Sequence, residues 1–197
     1  ELGLYFNAGR DLQANVTVFH NDFEDKITRI ACPIEICTDG PNQFGSDPTY
    51  RVNVDEAVTQ GVEAALSTTF YRVLSLNLSY TYTDSEQKSG EYKGEPLNQL
   101  PEHLASLQAN WQATDTVSPW LTVRYRGEES QPTTGPSSSA IIAPSNTLVD
   151  AGVGFRLSPQ AKLNTGIYNL ADRKIFEDEY GYVEDGRRYW LGVTVNF

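Results

Sequence analysis

The chain has no methionine, two cysteines and two histidines among its 197 residues. Each shortage excludes something. Structural zinc takes about four nitrogen or sulfur ligands. His20 and His103 have no cysteine or histidine nearby in the sequence, so neither a metal site nor a bound cofactor is expected. Basic residues are also scarce. Fifteen Lys and Arg against 26 Asp and Glu give a formal charge of −11. That excludes nucleic acid as the expected partner, because phosphate binding needs a basic footprint. No stretch approaches the ~20 apolar residues of a spanning helix, and the mean hydropathy is −0.43. A membrane β-barrel is not excluded, since its strands alternate apolar and polar residues and average out as hydrophilic. No signal peptide opens the chain. Glu1 starts directly into a strand-like pattern, and the expectation is the C-terminal piece of a longer protein.

What is present begins at the other end. Tyr189, Leu191, Val193, Val195 and Phe197 alternate with Trp190, Gly192, Thr194 and Asn196. A period of two places the first set on one face of an extended strand. The same alternation recurs around Leu2–Asn7, Leu12–Val18, Gly61–Leu66, Leu74–Thr83, Ala105–Gln112, Leu121–Arg126, Val149–Arg156 and Leu163–Ile167, giving about nine strands. Short turns at 8–11, 69–73, 113–118 and 158–161 alternate with long polar loops at 31–49, 85–101, 127–146 and 171–186. Short connections at one end and long ones at the other suit an outer-membrane barrel. The second face of these strands is Ser, Asn, Thr, Gln, Arg and Glu. A face that polar lines water or a polar domain, so the apolar face must meet something other than a core, and lipid is the simplest partner. The fold class expected is therefore all-β, an antiparallel transmembrane β-barrel. Nine strands leave an edge unpaired, whereas bacterial barrels close with even strand numbers.

Cys32 and Cys37 stand five apart in the first long loop, which favours a small disulfide in an oxidising compartment. The alternative is two free thiols. Acidic runs at Asp22–Asp25, Glu128–Glu129 and Glu177–Glu179 read as charged outward loops beside lipopolysaccharide. They lack the ordered spacing of a calcium loop. Ser137–Ser139 has no Gly-x-Ser-x-Gly around it and reads as plain loop.

The terminus resembles the C-terminal sorting signal read by the barrel assembly machinery, on Gly192, Val195 and Phe197, with Trp190 standing where that pattern usually has a polar residue. The run Leu74–Gln87, then Lys93-Gly94-Glu95-Pro96-Leu97, Pro101-Glu102-His103, Asn110-Trp111-Gln112, Arg124-Tyr125-Arg126-Gly127 and Asn169–Lys174 follow in order. Together these resemble TonB-dependent outer-membrane siderophore receptors of the catecholate and colicin I receptor group, over nearly the whole chain. The resemblance implies that residues 1–197 form the last nine strands of a 22-stranded barrel whose plug and early strands are absent. It implies active import of a ferric siderophore, coupling to the TonB complex through the plug, contacts with outer-membrane lipid and lipopolysaccharide, and no catalytic residue. On that reading Glu63, Arg124, Arg126, Asp150 and Arg156 face the lumen as plug contacts. Tyr92, Lys93, Arg126, Tyr180, Tyr182, Arg187 and Arg188 are ligand-loop candidates, because cations and aromatic rings suit an anionic aromatic ligand. The rival expectations are a passive porin-like barrel and a soluble all-β binding module. An outer-membrane enzyme stands third.

Overall fold

The computed structural model describes residues 1–9, 11–31, 49–90, 93–97, 99–130, 142–176 and 182–196. Among the described residues there are eleven strands: β1 (Leu2–Asn7), β2 (Leu12–Ala31), β3 (Thr49–Phe70), β4 (Leu74–Gln87), β5 (His103–Trp111), β6 (Val117–Arg126), β7 (Glu129–Ser130), β8 (Ile142–Ala143), β9 (Asn146–Arg156), β10 (Ala161–Tyr168) and β11 (Arg188–Val195). Nine of them form one antiparallel sheet in the order β1-β2-β3-β4-β5-β6-β9-β10-β11, and β7 pairs with β8 in a separate small ribbon.

The expected count of nine membrane-type strands matches the main sheet, but their lengths do not. β2 and β3 run for 20 and 22 residues, about 65–75 Å at strand rise. The sequence pattern ended at Val18 and began at Gly61 because alternation of polarity stops there while the backbone ladder continues. The pairing runs from Leu12↔Thr68 to Ala31↔Thr49, with register shifts between Phe23 and Ile27. Asp25 sits in that irregularity with φ 58°. The acidic run Asp22–Asp25 is thus part of a strand extension with a β-bulge, not a loop as expected. A bulge there increases the local twist and blunts slippage of a long polar ribbon. The expected 127–146 loop is likewise interrupted by the β7–β8 ribbon.

The register sets the two faces. On one side the row Val16–Ala64–Tyr80–Ala105–Tyr125 runs across β2 to β6, and Leu121–Ala151–Ile167–Tyr189 runs across β6 to β11. On the other side lie Asn15, Glu63, Thr81, Ser106, Arg124 and Asp150. Large apolar side chains are left open on the first face: Leu4 is 76% exposed, Leu191 68% and Val193 62%. A soluble sandwich would bury such residues. The buried hydrophobic set among the described residues is Ala57, Ala143, Leu148 and Ile175. Neither β1 nor β11 has a second neighbour in the described sheet.

Candidate functional site

The apolar face is a band with two aromatic borders. On β4, Leu74, Leu76, Leu78, Tyr80 and Tyr82 face the same way, a span of about 26 Å at strand rise. That is close to the ~25 Å apolar height of outer-membrane barrels. Phe6, Phe70, Trp111 and Phe155 border it at the short-turn end. Tyr80, Tyr82, His103, Tyr125 and Tyr189 border it at the long-loop end. His103 Nδ1 lies 2.9 Å from the Tyr80 hydroxyl, and its ring is 5.4 Å from that of Tyr82. Beyond this border the outer row turns polar: Gln60 Nε2 donates to Asp84 Oδ2 at 2.9 Å, and His20 Nδ1 lies 3.2 Å from Gln60 Oε1. Aromatic residues with a polar tip prefer such an interface.

The polar face is satisfied mostly by cross-strand pairs. Ser67 Oγ donates to Asn77 Oδ1 at 2.9 Å, and the hydroxyls of Ser79 and Ser106 are 2.7 Å apart. Three large rings also lie on this face, which the alternation alone had not marked out as important: Phe19, Trp120 and Trp190. Each lies over glycine. A Cβ on Gly152 would meet the Thr165 carbonyl oxygen at 2.1 Å and the Trp120 ring at 2.5 Å. One on Gly61 would meet the Tyr82 carbonyl oxygen at 1.9 Å and Phe19 at 2.8 Å. Backbone that close to a neighbouring strand tolerates only glycine.

The residues expected to line the lumen divide into groups. Arg124 Nη2 donates to Asp150 Oδ2 at 3.1 Å, with the carboxylate buried and the guanidinium half open. Arg126 pairs with Glu129 and its guanidinium carbon stands 5.7 Å from the centre of the Tyr182 ring. Glu129 is 5% exposed, so it is a buried partner and not the solvated loop charge the sequence suggested. Glu63 lies between Thr17 and Thr81 and makes no ion pair among the described residues. Arg156 lies opposite Lys162 near the short-turn end.

The described parts of the connection from β10 to β11, residues 169–176 and 182–187, lie against this face. Asn169 organises its base. The Asn169 backbone N–H donates to Asp150 Oδ1 at 2.8 Å. Its side-chain amide donates to the carbonyls of Arg173 (2.8 Å) and Asp185 (3.2 Å), and its Oδ1 accepts from the Arg173 N–H at 2.8 Å. Asn169 has φ 51° and Asp172 φ 52°, a left-handed conformation that Asn and Asp tolerate best after glycine. Asp172 accepts the Arg187 N–H at 2.9 Å and Lys174 Nζ at 3.1 Å. The Arg187 backbone bond, and then Lys174, hold its carboxyl below the ordinary aspartate value of 3.8. Further along, Asn146 Nδ2 donates to the Tyr182 hydroxyl at 3.0 Å, and Ile175 packs with Ala143 and Leu148.

Arg124, Arg126, Asn146, Tyr182, Glu184 and neighbours thereby line a cleft of about 540 Å³ on the polar face. Of the expected ligand-loop residues, Tyr182 and Arg126 are brought together there. Arg188 opens β11, pairs with Asp185 at 2.9 Å and lies over the Tyr168 ring. Arg187 Nε donates to the Leu170 carbonyl at 3.1 Å, and Lys93 is in an exposed turn away from the cleft lining. Cys32, Cys37, Tyr92, Tyr180 and Phe197 lie outside the described residues, while Gly192 and Val195 are in β11. Sequence reading missed Asn169 and Glu129 as site residues. The signal that could have found Asn169 was an Asn directly after a strand with an Asp three residues on, both suited to left-handed turns. Among the described residues no cluster of His, Cys, Asp and Glu is fit to hold a metal ion, and no helix is long and apolar enough to cross a membrane.

Comparison with known proteins places this geometry. The family described as TonB dependent receptor-like, beta-barrel matches residues 1–170. The chain is 53% identical over 197 residues to the iron-regulated outer membrane virulence protein of Vibrio cholerae serotype O1, covering all of this chain and 30% of that protein. It is 27% identical over 210 residues to the ferric enterobactin receptor PirA of Pseudomonas aeruginosa, covering all of this chain and 27% of that one. Its fold superposes with a TM-score of 0.75 on a mutant of the Pseudomonas aeruginosa ferric enterobactin receptor PfeA in complex with enterobactin, at 22% identity over 99% of this chain and 30% of that chain. The ferric-catecholate import receptor Fiu of Escherichia coli K12 gives a TM-score of 0.74 at 20% identity, over 96% of this chain and 26% of that one. The chain thus spans under a third of the length of the curated relatives it matches.

Proposed function

The chain belongs to the TonB-dependent receptor β-barrel family, and from that membership we propose that it is the C-terminal wall of a receptor that actively imports a ferric siderophore, of the catecholate type, across the bacterial outer membrane. The rest of the barrel and a plug domain coupled to TonB complete the machine on this reading. The observation that carries it is the two-faced sheet. One face exposes a membrane-high apolar band, and the other holds a cleft lined by Arg124, Arg126, Tyr182 and Glu184, the last two from the β10–β11 connection. The two unpaired edges of the sheet support the larger barrel, since an open ladder in lipid leaves backbone groups without partners.

Transport makes and breaks no bonds, so the chain's work is to bind, to line and to release. A ferric catecholate is anionic and rich in aromatic surface. Arg124 offers a half-exposed guanidinium, and Arg126 with Tyr182 offers a cation beside a phenol ring. Lys93, Arg187 and Arg188, with Tyr92 and Tyr180, remain candidates for first capture at the mouth. Contacts with lipopolysaccharide fall on the polar outer row above the tyrosines.

The test is uptake of radioactive iron as a ferric tricatecholate by iron-starved cells that carry the full-length receptor as their one route for it. Uptake should need the receptor and collapse when the proton-motive force is dissipated. Uptake that persists without that force would favour a passive porin-like barrel. Uptake of a hydroxamate complex alone would reject the catecholate assignment.

A further inference from the structure

The polar face carries one run of rings that its Ser, Asn and Thr surroundings do not explain. Trp120 on β6 reaches across the next two strands. A Cβ on Gly152 of β9 would meet its indole at 2.5 Å, and one on Gly166 of β10 would meet it at 2.9 Å. The ring is thus laid over two glycines, with one side on the wall. Tyr168 stands beside it at the end of β10, the ring centroids 6.0 Å apart and the planes tilted by 46°. Trp120 and Tyr168 are each half-buried. Arg188, opposite Tyr168 on β11, sets its guanidinium carbon 5.5 Å from the centre of the Tyr168 ring. It pairs with Asp185 and keeps about half of its side chain open. The run has a direction. Arg124, which pairs with Leu148, lines the cleft already described, whereas Trp120, which pairs with Gly152 nearer the short turns, lines a second cleft of about 270 Å³. Arg188 and Tyr168 lie at a level between these two.

We propose that Arg188, Tyr168 and Trp120 form a stacking track, along which the aromatic rings of a ferric catecholate pass from the upper cleft toward the short-turn end. The inference rests on the reading that this wall serves the import of such a ligand. The cation at the top draws an anionic ring complex, and the two rings below offer faces to stack on. A hydrogen bond holds its partner at one distance and angle. Tilted and offset ring pairs tolerate centroid distances from about 4.5 to 7 Å, so a ring can shift from one rung to the next without losing contact. A ring laid over glycine also supports strand pairing. That role is met by Trp120 alone and calls for neither Tyr168 nor a guanidinium stacked beyond it.

The test compares two readouts in iron-starved cells carrying the full-length receptor, each divided by the amount of receptor at the surface. One is the affinity for a radioactive ferric tricatecholate with the proton-motive force dissipated. The other is the maximal uptake rate of the same complex in energised cells. Trp120→Leu and Tyr168→Leu should each lower the maximal rate about two- to tenfold, the worth of one aromatic pair, and leave the affinity in place. Trp120→Phe should restore most of the rate. Unchanged rates in both Leu variants overturn the track. So does a loss of affinity that accounts for the loss of rate, since it would assign the rings to capture. If Trp120→Leu does not reach the surface, Tyr168→Leu, which uncovers neither glycine of the Trp120 seat, decides alone, and a normal rate there overturns the proposal. A wild-type receptor that imports no tricatecholate would reject the proposed function and the track with it. Import by the wild type with equal rates in the Leu variants rejects the track only.

Discussion

Asn169 is a single small side chain, yet its amide and backbone hold both flanks of the β10–β11 connection and the buried carboxylate of Asp150. Truncating it leaves the Arg173 and Asp185 carbonyls and the Arg173 N–H without their partner. Each such group costs about 1–3 kcal/mol where it stays buried. Asn169→Ala should therefore loosen the roof over the cleft. On the proposed function, the expected outcome is weaker siderophore binding in a titration with full-length receptor, with the unfolding temperature of the barrel nearly unchanged. A collapse of heat resistance would show that Asn169 serves the wall and not the roof. Asp172 makes a pH prediction. Its folded-state pKa is depressed, by the Arg187 N–H first and Lys174 second. Its stabilising contribution is present above the unfolded value and is lost as pH falls through the folded one. The connection should hold its protease resistance through mildly acidic pH and lose it only below the ordinary carboxylate range, and Asp172→Asn should flatten that dependence. Gly152 is closed to a side chain, because any Cβ runs into the Thr165 carbonyl oxygen. Gly152→Val should reduce the amount of assembled receptor in the outer membrane, measured by surface labelling.

At the scale of the strand, the two faces differ more than neighbouring residues in sequence suggest. Leu107 and Gln108 are adjacent on β5, but Leu107 pairs with Leu78 and Val123 on the lipid side while Gln108 pairs with Asn77 and Thr122 on the polar side. Arginine on the lipid face near the midplane costs about 2–4 kcal/mol. Leu107→Arg should lower unfolding stability by that order, and Gln108→Arg should be nearly neutral. Equal losses in the two variants would contradict the assignment of faces. From the resemblance of the terminus to a sorting signal we propose that Phe197→Ala impairs assembly more than ligand affinity, and normal surface levels would count against that role. This alternation is what made the sheet legible from sequence, with nearly every strand of the membrane band showing it from Leu2 to Val195. It failed where the environment stopped being two-sided. Beyond Val18 and before Gly61 the backbone pairing persists without a clean two-sided polarity pattern to mark it. The site was legible in part. Arg124, Asp150 and Arg126 announced themselves as charges on the polar side of strands. Tyr182 was also among the ligand-loop candidates, whereas Asn169 in the β10–β11 connection and Glu129 in β7 were not, because their partners lie on distant strands.

For the whole molecule, three features of the sheet call for one explanation. Its apolar band has no core to meet, its two edges have no partners in the described sheet, and its polar face holds clefts open on one side. Membership of the TonB-dependent receptor family and placement in the bacterial outer membrane account for all three together. On the proposed function, lipid covers the band, further strands pair the edges, and an enclosed domain meets the polar face. The most direct measurement is the apparent mass of the native protein in outer membranes of iron-starved cells, run boiled and unboiled and detected with an antibody to this segment. The account predicts a heat-modifiable band several times larger than 21.9 kDa that rises under iron starvation. A soluble band near 21.9 kDa, unchanged by boiling, would contradict it.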